Sequence, residues 1–387
     1  MRDGFRVIDA DGHTIDPPDV WDRYLEAEYR HRVGTVRIPT SIFAYHTVDG
    51  RAPLPIPDPA VPFDERSALR WSPEHVRERF GAAAARGFDA LAVVEAMDGE
   101  GVDVAVIYGP GYDMWGDGID PELQAAMARA YTRWLADYRE ASGGRIIGAS
   151  PVPIADPARA AEHVRWAADT LGTRWFWTRP NPIGGRVLGD AAYDAMYDTL
   201  EGLGACLGIH HFSGVDLPAA GRDRFRTFVE LHTCDHQMEQ QMAMLSMIVQ
   251  GVFERFPRLR VGYLEAGCAW LPSWLHRIEE HLEIAGWKEA PQLTRPPLEY
   301  FRRNCFITCE ADEALLYQVV EVVGDDNLLF ATDYPHPDAK YPGAVDTFLT
   351  LARVSDESKR KILWDNPLRF YGFDEASLPS PATTASA

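Results

Sequence analysis

RIIGASPVPIADPARAAEHVRWAADT, residues 145–170, is the stretch whose reading decides the fold. Through Pro153 it is a short run of Ile, Val and small residues, the composition of a buried strand. Asp156-Pro157 then opens a segment with apolar residues three and four apart, from Ala160 to Ala168. An Asp caps free backbone N–H groups, and a proline in the first helical turn has no N–H to lose, so this pair marks a helix start. The stretch is therefore one strand-turn-helix unit.

The same alternation runs outward in both directions. Strands are expected at Arg6–Asp11, Val102–Gly109, Arg145–Pro153, Thr173–Thr178, Ala205–His211, Leu259–Gly267, Asn304–Glu310 and Asn327–Asp333, with helices between them such as Pro121–Ala141, Asp156–Thr170 and Ala191–Leu203. Eight parallel strands, each followed by a helix, close into a (β/α)8 TIM barrel. The expectation is a single α/β domain over residues 1–375. A Pro- and aromatic-rich segment at about 32–86 breaks the alternation and reads as a long insertion after the first strand, lying over the barrel mouth. The last segment, 376–387, has no apolar periodicity and reads as a disordered tail.

Composition narrows the partners. The chain has 387 residues, 46% of them hydrophobic, enough for a large core, and a net charge of −20. That charge opposes binding to nucleic acid or an anionic membrane, both of which require a basic patch, and leaves a small-molecule substrate as the expected partner. No apolar stretch is long enough to span a bilayer and the N-terminus lacks a signal core, so a cytoplasmic location is expected. Cys206, Cys234, Cys268, Cys305 and Cys309 are odd in number and contain no CxxC pair, which points to reduced thiols. A homodimer is compatible with the acidic surface.

Function in such a barrel resides at the C-terminal ends of the strands. In DADGHTID, residues 9–16, strand alternation sends Asp11 and His13 to one side and Gly12 to the other. The fifth strand ends in His210 and His211, the sixth in Glu265, the seventh in Glu310 and the eighth in Asp333. Imidazoles and carboxylates at so many strand ends form a divalent-metal site, for zinc, manganese or iron. In HTCDHQMEQQM, His232 and His236 stand four apart and Glu239 three further, sharing one helix face. If His236 and Glu265 meet above the barrel, a second metal beside the first becomes feasible. Arg179 is a candidate clamp for a substrate carboxylate, Trp115, Trp177 and Tyr334 are candidates for an apolar wall, and His336 for a ligand or substrate contact.

At IDADGH (8–13), GIHH (208–211), GVFERFPRLRVGYLEAGCAWLPSWLHRIEEH (251–281), ATDYPHPD (331–338) and KILWDNPLRFYG (361–372) the chain resembles the amidohydrolase superfamily, in the amidohydrolase-2 branch that also holds aminocarboxymuconate-semialdehyde decarboxylase. The resemblance covers Val7 to Gly372. It implies Asp11 and His13 as first-strand ligands, His210 as the fifth-strand ligand and Asp333 as the eighth-strand ligand, which also takes a proton from metal-bound water. Two positions depart from the pattern. The fourth strand offers Arg179 where binuclear hydrolases place a carboxylated lysine, and the sixth offers Glu265 where the decarboxylases usually place a histidine.

Three chemistries use these residues. The leading expectation is hydrolysis of a C–N or C–O acyl bond in a small organic or natural-product substrate, with metal-activated water and Asp333 and Glu265 as catalytic carboxylates. A non-haem diiron monooxygenase, with His236 and Glu265 on a second iron, is one alternative. Non-oxidative decarboxylation of an aromatic or unsaturated carboxylic acid is the other.

Overall fold

The computed structural model describes residues 1–37, 44–52, 73–109, 114–211 and 217–379. Ten strands lie among them, eight in one sheet. The sheet strands are β1 (Ile8–Gly12), β4 (Val104–Tyr108), β5 (Ile146–Pro151), β6 (Trp175–Thr178), β7 (Cys206–His210), β8 (Arg260–Leu264), β9 (Cys305–Glu310) and β10 (Leu328–Ala331), in that spatial order and parallel between neighbours. All eight expected strands form, each end within three residues of the expected one. They are buried on both faces, which is why each reads as an apolar run and not as an alternation.

A seam of hydrogen bonds joins the first strand to the last, among them Thr332 N–H to Asp9 Oδ1 (2.9 Å), Asp333 N–H to the Asp11 carbonyl (3.0 Å) and His13 N–H to the Tyr334 carbonyl (2.6 Å). This seam closes the barrel. It also places Asp11, His13 and Asp333 side by side, although more than three hundred residues separate them along the chain.

The helical layer follows its sequence signals. Helix Pro121–Ala141 has Asp120 as its cap and turns Leu123, Met127, Tyr131, Trp134 and Tyr138 inward. Each such burial contributes roughly 1.5–3 kcal/mol. Asp156 caps helix Pro157–Leu171, and the expected helix at 191–203 divides into a 3-10 turn, Ala191–Tyr193, and helix Asp194–Gly202.

The insertion carries structure of its own. β2 (Val33–Arg37) and β3 (Ala44–Val48) pair antiparallel in a two-stranded sheet, and Pro73–Ala85 is helical with a break at Gly81. Arg79 of that helix donates to the carbonyls of Pro337, Ala339 and Tyr341, packing the insertion on the loop after β10. Residues 53–72, the most proline-rich part, lie outside the described residues. The first two residues of the expected tail belong to a 3-10 turn, Glu375–Ser377, anchored by Glu375 at the end of the expected domain, which meets Arg6 at 3.0 Å and the Trp364 indole at 3.1 Å, while 380–387 lie outside the described residues. All five cysteines are free thiols. No helix among the described residues is long and apolar enough to cross a membrane.

Candidate metal centre

The mouth of the barrel gathers donors from four strand ends. β1 has an irregular register between Asp9 and Gly12. A Cβ on Gly12 would lie 3.0 Å from Asp9 Oδ2, so Asp9 and Gly12 share one side, while Asp11 meets the imidazoles of His13 and His210 on the other. A bulge of this kind re-aims a side chain without ending the strand.

His13 Nε2 lies 3.0 Å from Asp333 Oδ1 and 3.9 Å from Asp11 Oδ1. His210 Nε2 lies 3.4 Å from Asp11 Oδ1 and 2.9 Å from Glu265 Oε2. His336 Nδ1 lies 2.7 Å from Asp333 Oδ1 and 3.2 Å from Glu265 Oε1. Asp11, His13 and His210 form one convergent donor set, and His13, Glu265, Asp333 and His336 an overlapping one. The expected residues Asp11, His13, His210, Glu265, Asp333 and His336 therefore share one pocket. Expected ligand His236 is held elsewhere, as described below.

Backbone and neighbours hold these groups in place. Glu265 and Asp333 both adopt left-handed backbone, at φ 53° and 57°. For non-glycine residues this costs on the order of 1–3 kcal/mol, and it is retained where the surroundings over-determine it. The Glu265 N–H donates to Thr308 Oγ1 (3.1 Å), and Asp333 is fixed by the seam. His13 Nδ1 lies 2.7 Å from the Tyr108 carbonyl. A carbonyl only accepts, so Nδ1 carries the hydrogen and Nε2 offers its lone pair to the pocket. Tyr108 stacks on His210 with ring centres 5.5 Å apart, and Trp177 meets the same ring edge-on at 5.9 Å. Gly208 makes this possible, because a Cβ there would come 2.7 Å from the Tyr108 ring.

Electrostatics define what the pocket requires. Asp11 Oδ1 and Oδ2, His13 Nε2, Glu265 Oε2 and Asp333 Oδ1 are buried and make no aligned hydrogen bond among the described residues. Leaving such groups unsatisfied is costly, and here their lone pairs face one another across 3–4 Å. A divalent cation in either of the two overlapping groups would satisfy the acceptors around it, so the donors fit a divalent metal held by nitrogen and oxygen. Burial opposes charge on His210, yet Glu265 and Asp11 overcome it and push that imidazole up to about 10. Burial likewise opposes charge on Glu265, but His210 and His336 hold its carboxyl well below the usual range. Burial raises Asp11.

Other sequence candidates lie behind this pocket. Trp115 and Trp177 are fully buried with ring centres 5.3 Å apart, forming an apolar wall beside His210. Arg179 is buried and donates to Asn181 Oδ1 at 2.9 Å. Tyr334 packs against Phe80, Phe88 and Tyr341. Glu239 is buried, accepts the Ala220 N–H at 2.6 Å, and is pushed up to about 7 by burial. Gln240 Nε2 donates to the carbonyls of Ile209 (2.7 Å) and Leu264 (2.9 Å), pinning helix Phe228–Val249 to the ends of β7 and β8. The His236 Nδ1–H donates to the Glu265 carbonyl (3.1 Å), and its ring groups with His211 and Asp235. Its expected meeting with Glu265 therefore occurs through the main chain. Sequence reading did not assign Asp235, Asn181 or Tyr108; only the two adjacent histidines of GIHH signalled that donors face both sides of β7.

Comparison with known proteins agrees with this architecture. The profile of the amidohydrolase family matches residues 8–373. A 2-amino-3-carboxymuconate-6-semialdehyde decarboxylase of Dictyostelium discoideum is 26% identical over 267 residues, 67% of this chain and 70% of the relative. An amidohydrolase from Mycobacterium avium subsp. paratuberculosis K-10 superposes with a TM-score of 0.73 at 24% identity, covering 97% of this chain and 100% of that one. A 5-carboxyvanillate decarboxylase from Novosphingobium aromaticivorans, complexed with manganese and 4-hydroxy-3-methoxy-5-nitrobenzoic acid, gives 0.67 at 18%, covering 96% and 97%. At these identities the superpositions establish the barrel fold.

Proposed function

Because the chain belongs to the amidohydrolase family, we propose that it catalyses metal-dependent, non-oxidative decarboxylation of a small aromatic or unsaturated carboxylic acid. The observation that carries this reading is the pair of buried, unsatisfied carboxylates Asp11 and Asp333 that both approach His13 Nε2 beside His210, with the imidazole of His336 at the rim. The decarboxylase activity named for the Dictyostelium relative and the manganese named for the Novosphingobium structure support it. They shift the reading from hydrolysis, which rested on resemblance to the superfamily, to carbon–carbon bond cleavage.

Asp11, His13, His210 and Asp333 hold the ion in this reading. When bound, the ion supplies a positive anchor for the substrate carboxylate and a neighbouring oxygen. Tyr108, Trp115 and Trp177 keep water from the His210 side of the pocket. The bond from the substrate carbon to its carboxylate breaks, carbon dioxide leaves, and the electron pair left on carbon takes up a proton. That proton comes from His336, held against Asp333 and Glu265, and returns to it from solvent at the partly open mouth. One proton is consumed and no oxidant is needed. Glu265 thus positions an imidazole supplied by the loop after β10, at a place where the resemblance leads one to expect a histidine on the sixth barrel strand.

The test is turnover in D2O with manganese or zinc, on one panel of hydroxylated aromatic and unsaturated carboxylic acids and another of esters, amides and lactones. Release of carbon dioxide with one deuteron at the vacated carbon is expected. Turnover confined to the acyl panel, with solvent oxygen in the product acid, would overturn decarboxylation in favour of hydrolysis.

A further inference from the structure

We propose that His211, Asp235 and His236 form a second divalent-metal site, separate from the pocket at Asp11 and Asp333, that takes a borderline transition metal such as zinc or ferrous iron. The inference stands apart from the reaction proposed above, since it concerns which atoms bind an ion and not what the ion does. All three side chains are buried, with exposures of 1%, 1% and 7%, and their ligand atoms lie within 4.8 Å of one another. Two ligands of one ion lie no farther apart than about twice a bond of roughly 2.1 Å, so small side-chain rotations bring this set onto an ion.

Tautomers decide whether the lone pairs point inward. His236 donates from Nδ1 to the Glu265 carbonyl at 3.1 Å, which leaves its Nε2 as a lone-pair donor. Asn181 Nδ2 donates to the Pro218 carbonyl at 2.9 Å, which turns Oδ1 toward Arg179 (2.9 Å) and His211 Nδ1 (3.2 Å). The same oxygen takes two hydrogens from Arg179, at Nε (3.2 Å) and Nη2 (2.9 Å), and an ion bound at His211 Nε2 would leave the His211 hydrogen on Nδ1, facing that oxygen. His211 Nε2, the ring nitrogen that faces Asp235, is buried without a hydrogen-bond partner. It lies 3.5 Å from Asp235 Oδ2, and the His211 and His236 rings are 4.8 Å apart at 87°. Two neutral imidazoles and one carboxylate around a common point form a two-histidine, one-carboxylate set.

Chain geometry explains why two sites sit back to back. Consecutive residues at a strand end face opposite sides, so His210 enters the barrel mouth and His211 the space under helix Phe228–Val249. Glu265 joins the two, its carboxylate at His210 and its carbonyl at His236.

The test is a cobalt(II) titration of the chelator-stripped, full-length protein, read by bound metal per chain and by the visible d–d spectrum. Two equivalents are expected for the wild type, and one for Asp235→Asn and for His236→Gln, whose amide still has a donor for the Glu265 carbonyl. Asp333→Asn should keep the Asp235 equivalent. One equivalent in the saturated wild type, or two in Asp235→Asn, would overturn the site. Should those variants fail to fold, anomalous diffraction from the cobalt-loaded wild type decides the matter: a peak between His211 and His236 upholds the site, and a single peak at Asp11 removes it. Metal counting is independent of carbon dioxide release, so failure here and failure of the decarboxylase reading are distinguishable.

Discussion

Asp9 and Asp11 stand two residues apart on β1 and both are buried, yet they are treated oppositely. Asp9 accepts from the Thr332 N–H (2.9 Å), the Thr332 hydroxyl (2.5 Å) and the Asp11 N–H (3.3 Å), and burial pushes it up to about 6. Asp11 has neither carboxylate oxygen in an aligned hydrogen bond and instead faces two imidazoles. The first carboxylate closes the barrel. The second, in the metal site proposed above, would meet a cation. Burial alone therefore does not separate a structural carboxylate from a functional one; satisfaction of its lone pairs does.

The sharpest way to break this comparison is Asp11→Asn. It removes a buried charge whose cost no hydrogen bond offsets, so metal affinity should fall at least about 100-fold and kcat/KM at least about 1000-fold. The metal-free variant should melt no lower than the metal-free wild type, and a large drop in its Tm would make Asp11 a structural group like Asp9. The converse change, Asp9→Ala, leaves the Thr332 donors buried and unpaired and should cost about 3 kcal/mol in urea unfolding. Unchanged stability would remove the seam from the account.

A third buried polar group extends the contrast to pH. His163 Nε2 pairs with Ser150 Oγ at 2.9 Å, and burial pushes its imidazole down to about 3. Between that value and about 6.5 the unfolded chain binds a proton that the folded chain refuses, so stability is full above pH 6.5 and falls as pH drops. From pH 7 to pH 5 the loss should be roughly 2 kcal/mol, and His163→Gln should flatten that slope in paired unfolding titrations; parallel slopes would count against it. The smallest effect concerns the wall of the mouth. Gly208→Ala should push the Tyr108 ring off His210 and lower kcat/KM about 10-fold, at a stability cost of about 1 kcal/mol. Wild-type kinetics in that variant would show that the stack does not orient His210.

Much of the barrel was legible because parallel strands buried on both faces leave apolar runs, and helices between them leave capped, periodic segments, as at Asp156–Leu171. Asp11, His13, His210 and Asp333 were legible because a strand end is a local feature. Asp235 and Asn181 were not, since an Asp in a helix and an Asn in a loop carry no sign of what they face. The antiparallel pair Val33–Arg37 and Ala44–Val48 was hidden by an unusual composition that read as a long insertion.

The chain's own order of residues determined the eight strands, the helices between them, and which strand ends carry imidazole or carboxylate, because periodicity and capping act over a few residues. Tertiary structure alone decided which atoms converge. The Asp9–Thr332 seam, the left-handed backbone at Glu265 and Asp333, and the carbonyls of Tyr108 and Glu265 that set the tautomers of His13 and His236 all depend on barrel closure. Closure brings distant segments into hydrogen-bonding range, and no local pattern encodes that distance.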